Sequence, residues 1–357
     1  MIPTWSRRDK GMASGGNSPE LTRGLPPIRI DTELAGVEPC RSRTAISEDH
    51  LSCRFNRGTI ESGMDRQGAE VMGRANYLIF GDLHGRILPA FRLASAWSRE
   101  HGVALSGLLQ VGDLGYFPDP SRLDKATAKF AADDPLELGA QVVTSQNGEA
   151  DAVFHGEGYD VGRLWFTAGN HEDFDALDRL GRQERQGTSF AVDAYERVAC
   201  IKDGSVETIP GGLRVGALWG IDDQAPNARR KKHALGRIRD SSLTKLAGAR
   251  FDVLLSHDGP RDAVLVNSGS EGLTTLLALA RPRFAFFGHY GSRFGQVEVG
   301  AGRTQVYHLA GMEMRRNGST AEAGSVGLLT WEDGEGNFEY LDDAWLRTFT
   351  RHNWRHR

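Results

Sequence analysis

The chain has 357 residues, 39% of them apolar and 25% charged, enough to bury a large core as one domain plus appendages. Its formal net charge of −4 excludes a general polyanion binder, because non-specific nucleic-acid affinity rests on many Lys and Arg contacts to phosphates. Three cysteines, Cys40, Cys53 and Cys200, lie far apart without a paired-ligand spacing, which excludes a disulfide framework and a zinc knuckle.

Residues 1–73 are rich in Arg, Gly, Ser, Glu and Pro and carry neither strand alternation nor a helical stripe. They read as a disordered or non-native N-terminal extension, with Met64 and Met72 as alternative starts ahead of the first convincing strand. The first thirty residues lack the apolar run of a signal peptide, and no stretch reaches the ~18 apolar residues needed to span a bilayer. The expected location is cytoplasmic, with no membrane partner and no protein partner inferable.

From Asn76 onward short apolar runs alternate with amphipathic segments, the pattern of an α/β domain over 74–349, with 350–357 as a C-terminal tail. Strands are expected at 77–80, 105–111, 164–167, 213–218, 252–255 and 284–287. Helices are expected at 87–99, where Leu88, Phe91, Ala94 and Trp97 share a face, and at 174–180, 241–246 and 273–280. Residues 119–160 read as an insertion, with a helix over 125–132 and a glycine-containing loop at 155–158. Residues 325–349 alternate around the turn Asp333-Gly334-Glu335-Gly336, as an edge hairpin does.

Five polar clusters each follow an apolar run: Gly81-Asp82-Leu83-His84-Gly85, Gly112-Asp113-Leu114-Gly115, Gly169-Asn170-His171-Glu172, Ser256-His257-Asp258 and Gly288-His289-Tyr290. Ligands of open α/β sheets sit outside the carboxyl ends of strands, so clusters spread over two hundred residues are expected to converge there. Carboxylate, imidazole and amide oxygen together suit Mn, Fe or Zn. One such cluster is usually a turn; five in this order, each at a strand end, are a site.

The ordered set resembles the calcineurin-like metallophosphoesterase superfamily over about residues 76–311. The resemblance implies a four-layer α/β/β/α sandwich of two mixed sheets with two divalent metal ions across its top. It assigns Asp82, His84 and Asp113 to the first metal, Asp113 bridging to a second that Asn170, His257 and His289 complete. It makes His171 the proton donor to the leaving oxygen and Glu172 a residue that orients its neighbours. Two cations about 3.5 to 4 Å apart lower the pKa of a shared water and stabilise charge on both reacting oxygens, so no protein nucleophile is needed. The chain has no Gly-x-Ser-x-Gly elbow.

Two departures matter. The last motif of the family reads Gly-His-x-His, but its second histidine is Gly291 here, so the first metal is one ligand short and is weakly held, filled by water, or completed by another residue such as His308; packing of His308 in a strand over 304–309 is the plainer reading. The second motif continues Gly115-Tyr116-Phe117 without the Asp-Arg of Ser/Thr protein phosphatases. A finer likeness, in Gly169-Asn170-His171-Glu172, Gly212-Leu213-Arg214-Val215-Gly216 and Leu255-Ser256-His257-Asp258-Gly259-Pro260-Arg261, is similar to the RNA lariat debranching branch, which cleaves a 2′,5′-phosphodiester. That branch has Cys where Asp82 stands and keeps the last histidine.

Arg86 and Arg261 each follow a ligand motif, and either clamps a phosphate oxygen or forms a surface ion pair. Tyr116 is placed to stack on a ring of the substrate, with Phe117 in the core. The run Arg229-Arg230-Lys231-Lys232-His233 is either a solvated loop face or a phosphate-binding patch. The leading reading is a metal-dependent hydrolase of a phosphate ester, monoester or diester, with nucleotides or RNA as candidate substrates. Its rival, which Gly291 favours, is a catalytically impaired metal-binding or ligand-sensing protein acting through a partner.

Overall fold

The computed structural model describes residues 73–155, 161–226, 233–299, 303–315 and 319–357. The expectations for 1–72, for most of the loop at 155–158 and for the basic run up to Lys232 lie outside the described residues.

Thirteen described strands form two mixed sheets: β1 (Ala75–Phe80), β2 (Gly107–Gln110), β3 (Leu164–Phe166), β4 (Ser189–Ala191), β5 (Val198–Ile201), β6 (Val206–Ile209), β7 (Leu213–Leu218), β8 (Val253–Ser256), β9 (Phe284–Phe287), β10 (Gly295–Val297), β11 (Gln305–His308), β12 (Val326–Glu332) and β13 (Glu335–Tyr340). One sheet runs β13-β12-β1-β2-β3-β5-β4 and the other β10-β11-β9-β8-β7-β6. The centres are parallel (β1-β2-β3-β5 and β7-β8-β9-β11) and the flanks antiparallel. The terminal hairpin supplies β12, paired with β1, and the edge strand β13; its turn places Asp333 and Gly334 at positive φ.

The helices are α1 (Ile87–His101), α2 (Lys125–Ala131), α3 (Gly139–Val143), α4 (Gly148–Phe154), α5 (Phe174–Gln183), α6 (Asp240–Ala247), α7 (Glu271–Ala280) and α8 (Asp343–Leu346). Strand alternation sorts the core into three slabs. In β1, Tyr77 and Ile79 face the second sheet, where with Leu109 of β2 they meet Val215, Leu255 and Phe286, while Leu78 and Phe80 face α1 with its Phe91, Leu93 and Trp97. In β9, Phe284 and Phe286 point inward, and Ala285 and Phe287 outward against Leu273, Leu276 and Leu277 of α7. Each fully buried Leu or Phe contributes about 1.5–3 kcal/mol, so this double alternation determines the four-layer order. α1 ends where Gly102 adopts φ 66° and donates its N–H to the Ser98 carbonyl.

The stretch 119–160 holds α2 and also two helices the sequence pattern does not reveal, α3 and α4, which bury Ala140, Val143, Ala150 and Phe154 in the first slab. Residues 350–357 carry a short 3-10 turn with Trp354 buried in the same slab.

Candidate metal centre

Five strand ends deliver the motifs to one place. Asp82, Asp113 and Asn170 follow β1, β2 and β3 of one sheet, and His257 and His289 follow β8 and β9 of the other. His84 (φ 41°), Asp113 (φ 50°) and His289 (φ 72°) have left-handed backbones, which cost a non-glycine residue roughly 1–2 kcal/mol and concentrate at functional sites. The glycines beside them provide clearance: a Cβ at Gly169 would lie 2.1 Å from Asp113 Oδ1, and one at Gly288 2.1 Å from Asp82 Oδ1.

Asp113 is the hub. Its Oδ1 accepts the N–H of Asn170 (2.6 Å) and His171 (2.8 Å), while Oδ2 lies 3.2 Å from His257 Nε2 and 3.9 Å from His84 Nε2. The His257 ring donates from Nδ1 to the Val111 carbonyl (3.2 Å), so its neutral form presents a lone pair at Nε2, itself 3.2 Å from His289 Nδ1. Asp113, His257 and His289 form one ligand set and Asp82, His84 and Asp113 another, with the ligand atoms of each set within 4.8 Å of one another. Asn170 Oδ1 is buried without a hydrogen-bond partner among the described residues. An unpaired amide oxygen beside carboxylates and imidazoles is the donor chemistry of a divalent cation, so the residues fit such ions.

Burial pushes Asp82 up to about 6 against the opposing pull of His257. Burial also pulls His257 down, yet Asp113 and Asp82 carry it up to about 9. Asp113, despite its burial, is held well below the usual carboxylate range by His257 and His171. Glu172 accepts the N–H groups of Leu114 (2.8 Å), Tyr116 (2.6 Å) and Gly169 (3.4 Å), tying the loop after β2 to the loop after β3, and burial pushes it up to about 8.

A cleft of about 390 Å³ opens over this floor, with His171 on its lining. The His171 ring bonds through Nδ1 to Asp124, whose other oxygen accepts the Thr127 N–H (2.7 Å) and caps α2. Burial alone would raise Asp124, but the His171 ring and the Thr127 amide bring it down to about 2. Thr127 and Phe130 of α2, Glu137, Glu313 and Arg315 form the wall, and the Arg315 guanidinium lies 3.9 Å over the Phe130 ring.

Several expected placements are corrected. Arg86 is fully buried, bonded to the His84 carbonyl, Glu137 and Asp134 (2.7 Å); it anchors the inserted stretch and does not face the cleft. Tyr116 is buried in the first slab, as is the neighbouring Phe117 in its own surroundings, so Tyr116 offers no stacking face. Arg261 pairs with exposed Glu271 (3.6 Å) away from the cleft lining. His308 in β11, by contrast, follows its plainer reading: it stacks on Phe287 (4.9 Å) and belongs to neither ligand set, and burial brings it down to about 4. Gly291 lines the cleft at φ 72°, with open space where a side chain would be. Sequence reasoning missed Asp124, Phe130, Glu313 and Arg315. Asp124 had a signal, an Asp directly before an expected helix; the others had none.

A two-sheet sandwich whose strand ends bring carboxylates, imidazoles and an unpaired amide together defines a metal-binding hydrolytic centre as its class. The model of the calcineurin-like phosphoesterase family matches residues 75–291, and the chain belongs to that family. Among solved structures, a Thermus thermophilus protein is similar at 12% identity over 75% of this chain and 99% of its own, with a TM-score of 0.40. A predicted phosphoesterase from Streptococcus pneumoniae is similar at 10% identity over 78% and 92%, TM-score 0.31. The anchor in the inner membrane complex of Plasmodium is similar at 11% over 75% and 84%, TM-score 0.39. Comparison with curated proteins gives no match. No described helix is long and apolar enough to cross a membrane.

Proposed function

We propose that residues 74–349 form a domain that hydrolyses phosphate esters with water activated between two divalent cations. Asp113, Asn170, His257 and His289 would hold one cation, and Asp82, His84 and Asp113 the other. The observation that carries this reading is Asp113: one carboxylate shared by both ligand sets, with the orphaned Asn170 Oδ1 beside it. When bound, the cations supply Lewis acidity that makes water nucleophilic near neutral pH and offsets charge on the phosphoryl oxygens. Mn, Fe or Zn suits these mixed donors.

His171 does the proton work. Its Nδ1 is held by Asp124 and its backbone by Asp113, which fixes the ring on the cleft lining, where it would protonate the leaving oxygen. α2 and Glu137 of the inserted stretch supply most of the wall and hence the choice of ester. A diester of a nucleotide or RNA is supported by the motif likeness to debranching enzymes, and a ring-bearing ester by Phe130, which is 40% exposed at the cleft.

The test is turnover of bis(p-nitrophenyl) phosphate and p-nitrophenyl phosphate with added Mn2+. The expected result is metal-dependent hydrolysis of at least one, with kcat falling roughly 10²–10⁴-fold in His171→Ala while metal content is unchanged. If a metal-loaded protein turned over neither ester, nor any of a panel of nucleotides and RNA oligomers, the ligand-sensing alternative would replace this reading.

A further inference from the structure

The ligand set Asp82, His84 and Asp113 has no contribution from the position of Gly291, and His308 is packed elsewhere. We propose that Glu313 completes this half of the centre as a carboxylate ligand, an inference that rests on the two-cation reading above. After β11 the chain turns back beside the first motif: Met312 donates its N–H to the Asp82 carbonyl (2.8 Å) and Gly311 donates to the Gly291 carbonyl (3.1 Å). That register carries Glu313 to the cleft, with Oε1 3.9 Å from His84 Nε2, the same separation that Asp113 Oδ2 keeps from that nitrogen.

Two donors each about 2.1 Å from one ion stand about 3.0 Å apart at a right angle and about 4.2 Å apart when opposed, so each separation from His84 fits a shared cation. Glu313 stands outside the set whose ligand atoms lie within 4.8 Å of one another, so its flexible side chain would swing inward to bind. Glu313 Oε2 is held by Arg315 Nη1 (3.1 Å), and Arg315 is itself bound by buried Glu137, so the carboxylate is oriented from outside as metal ligands usually are. A Cβ at Gly311 would lie 3.3 Å from Glu313 Oε1 and 3.6 Å from the Asp82 Cβ; the bare glycine keeps the lane between the two carboxylates open. Replacing an imidazole by a carboxylate makes this half richer in oxygen, which favours Mn2+ or Mg2+ there over Zn2+.

The rival account of the same contacts is a rim ion pair among His84, Glu313 and Arg315 with no part in metal binding. Mn2+ per chain, measured over a series of free Mn2+ concentrations by elemental analysis and by electron paramagnetic resonance, separates the two. The expected result is two ions in the wild type with a spin-coupled signal, and in Glu313→Gln one tightly held ion with an uncoupled signal and a second site weakened at least tenfold. The retained ion reports that the variant is folded. Two ions in Glu313→Gln, with wild-type affinity and coupling, would overturn the proposal while leaving the two-cation reading intact. A wild type that binds no second ion at any Mn2+ concentration would overturn that reading and this inference together.

Discussion

The floor of the cleft and its wall are held in place by different forces. Each floor residue stands one to five positions beyond a parallel strand, so its backbone is positioned by ladders that run through the sheet, and neighbouring glycines such as Gly169 and Gly288 give it room. The wall, α2 with residues 313–315, is tied down by side chains: Asp124 to His171, Arg86 to Asp134 and Glu137, Arg315 to Glu137 and Glu313. Backbone geometry tolerates little change, whereas ion pairs can be re-paired. On the proposed function, chemistry resides in the floor and selectivity in the wall, Glu313 excepted, and substitutions in each should differ in kind as well as size.

The largest effect belongs to Asp113→Asn. One carboxylate faces both ligand sets and also accepts the Asn170 and His171 amides, so its loss unsettles ions and backbone together. Turnover is expected to vanish and metal content to fall toward zero under conditions that fill the wild type. Two ions per chain in this variant would sink the bridging role and with it the contrast between floor and wall.

Asp124→Asn probes a wall residue that reaches the floor. Asparagine remains a good helix cap, so α2 keeps its Thr127 contact while the charged partner of His171 is lost. Removal of such orienting partners typically costs about 10–100-fold. That drop is expected in kcat, with KM and metal content unchanged. An unchanged kcat would mean that the backbone bond to Asp113 orients His171 by itself.

The same division explains what the sequence disclosed. The floor was legible because glycine-flanked Asp, Asn and His at strand ends are local signals, and the strands themselves alternate cleanly; β7 and β9 appear with the expected bounds. β4, β5, β6 and β10 were not anticipated: each has three or four residues and none of the five polar clusters follows it, whereas such a cluster marks the equally short β3 and β9. The wall was illegible because its contacts are long-range. Arg86 looked like a phosphate clamp from its place after His84, and only the fold shows Asp134 and Glu137 closing over it. Tyr116 looked available for stacking, and only the slab formed with α1 and α5 shows that it is buried. Glu313 has no motif around it and reaches His84 because β11 ends beside β1's loop.

Phe130→Ala should have the smallest effect, and an informative one. The ring is 40% exposed on the cleft lining and lies under the Arg315 guanidinium, so it presents an aromatic surface to an ester that carries a ring of its own. A ring-on-ring contact of this kind is worth about 1 kcal/mol, or roughly fivefold in KM. KM for bis(p-nitrophenyl) phosphate is expected to rise by that factor with kcat unchanged, while KM for a small alkyl phosphate stays where it was. An equal rise for both esters would show that Phe130 acts through Arg315 and the shape of the wall, since removing the ring frees the guanidinium whatever the substrate carries. A fall in kcat would be more damaging: it would mean that α2 transmits strain through Asp124 to His171, and that wall and floor are one mechanical unit.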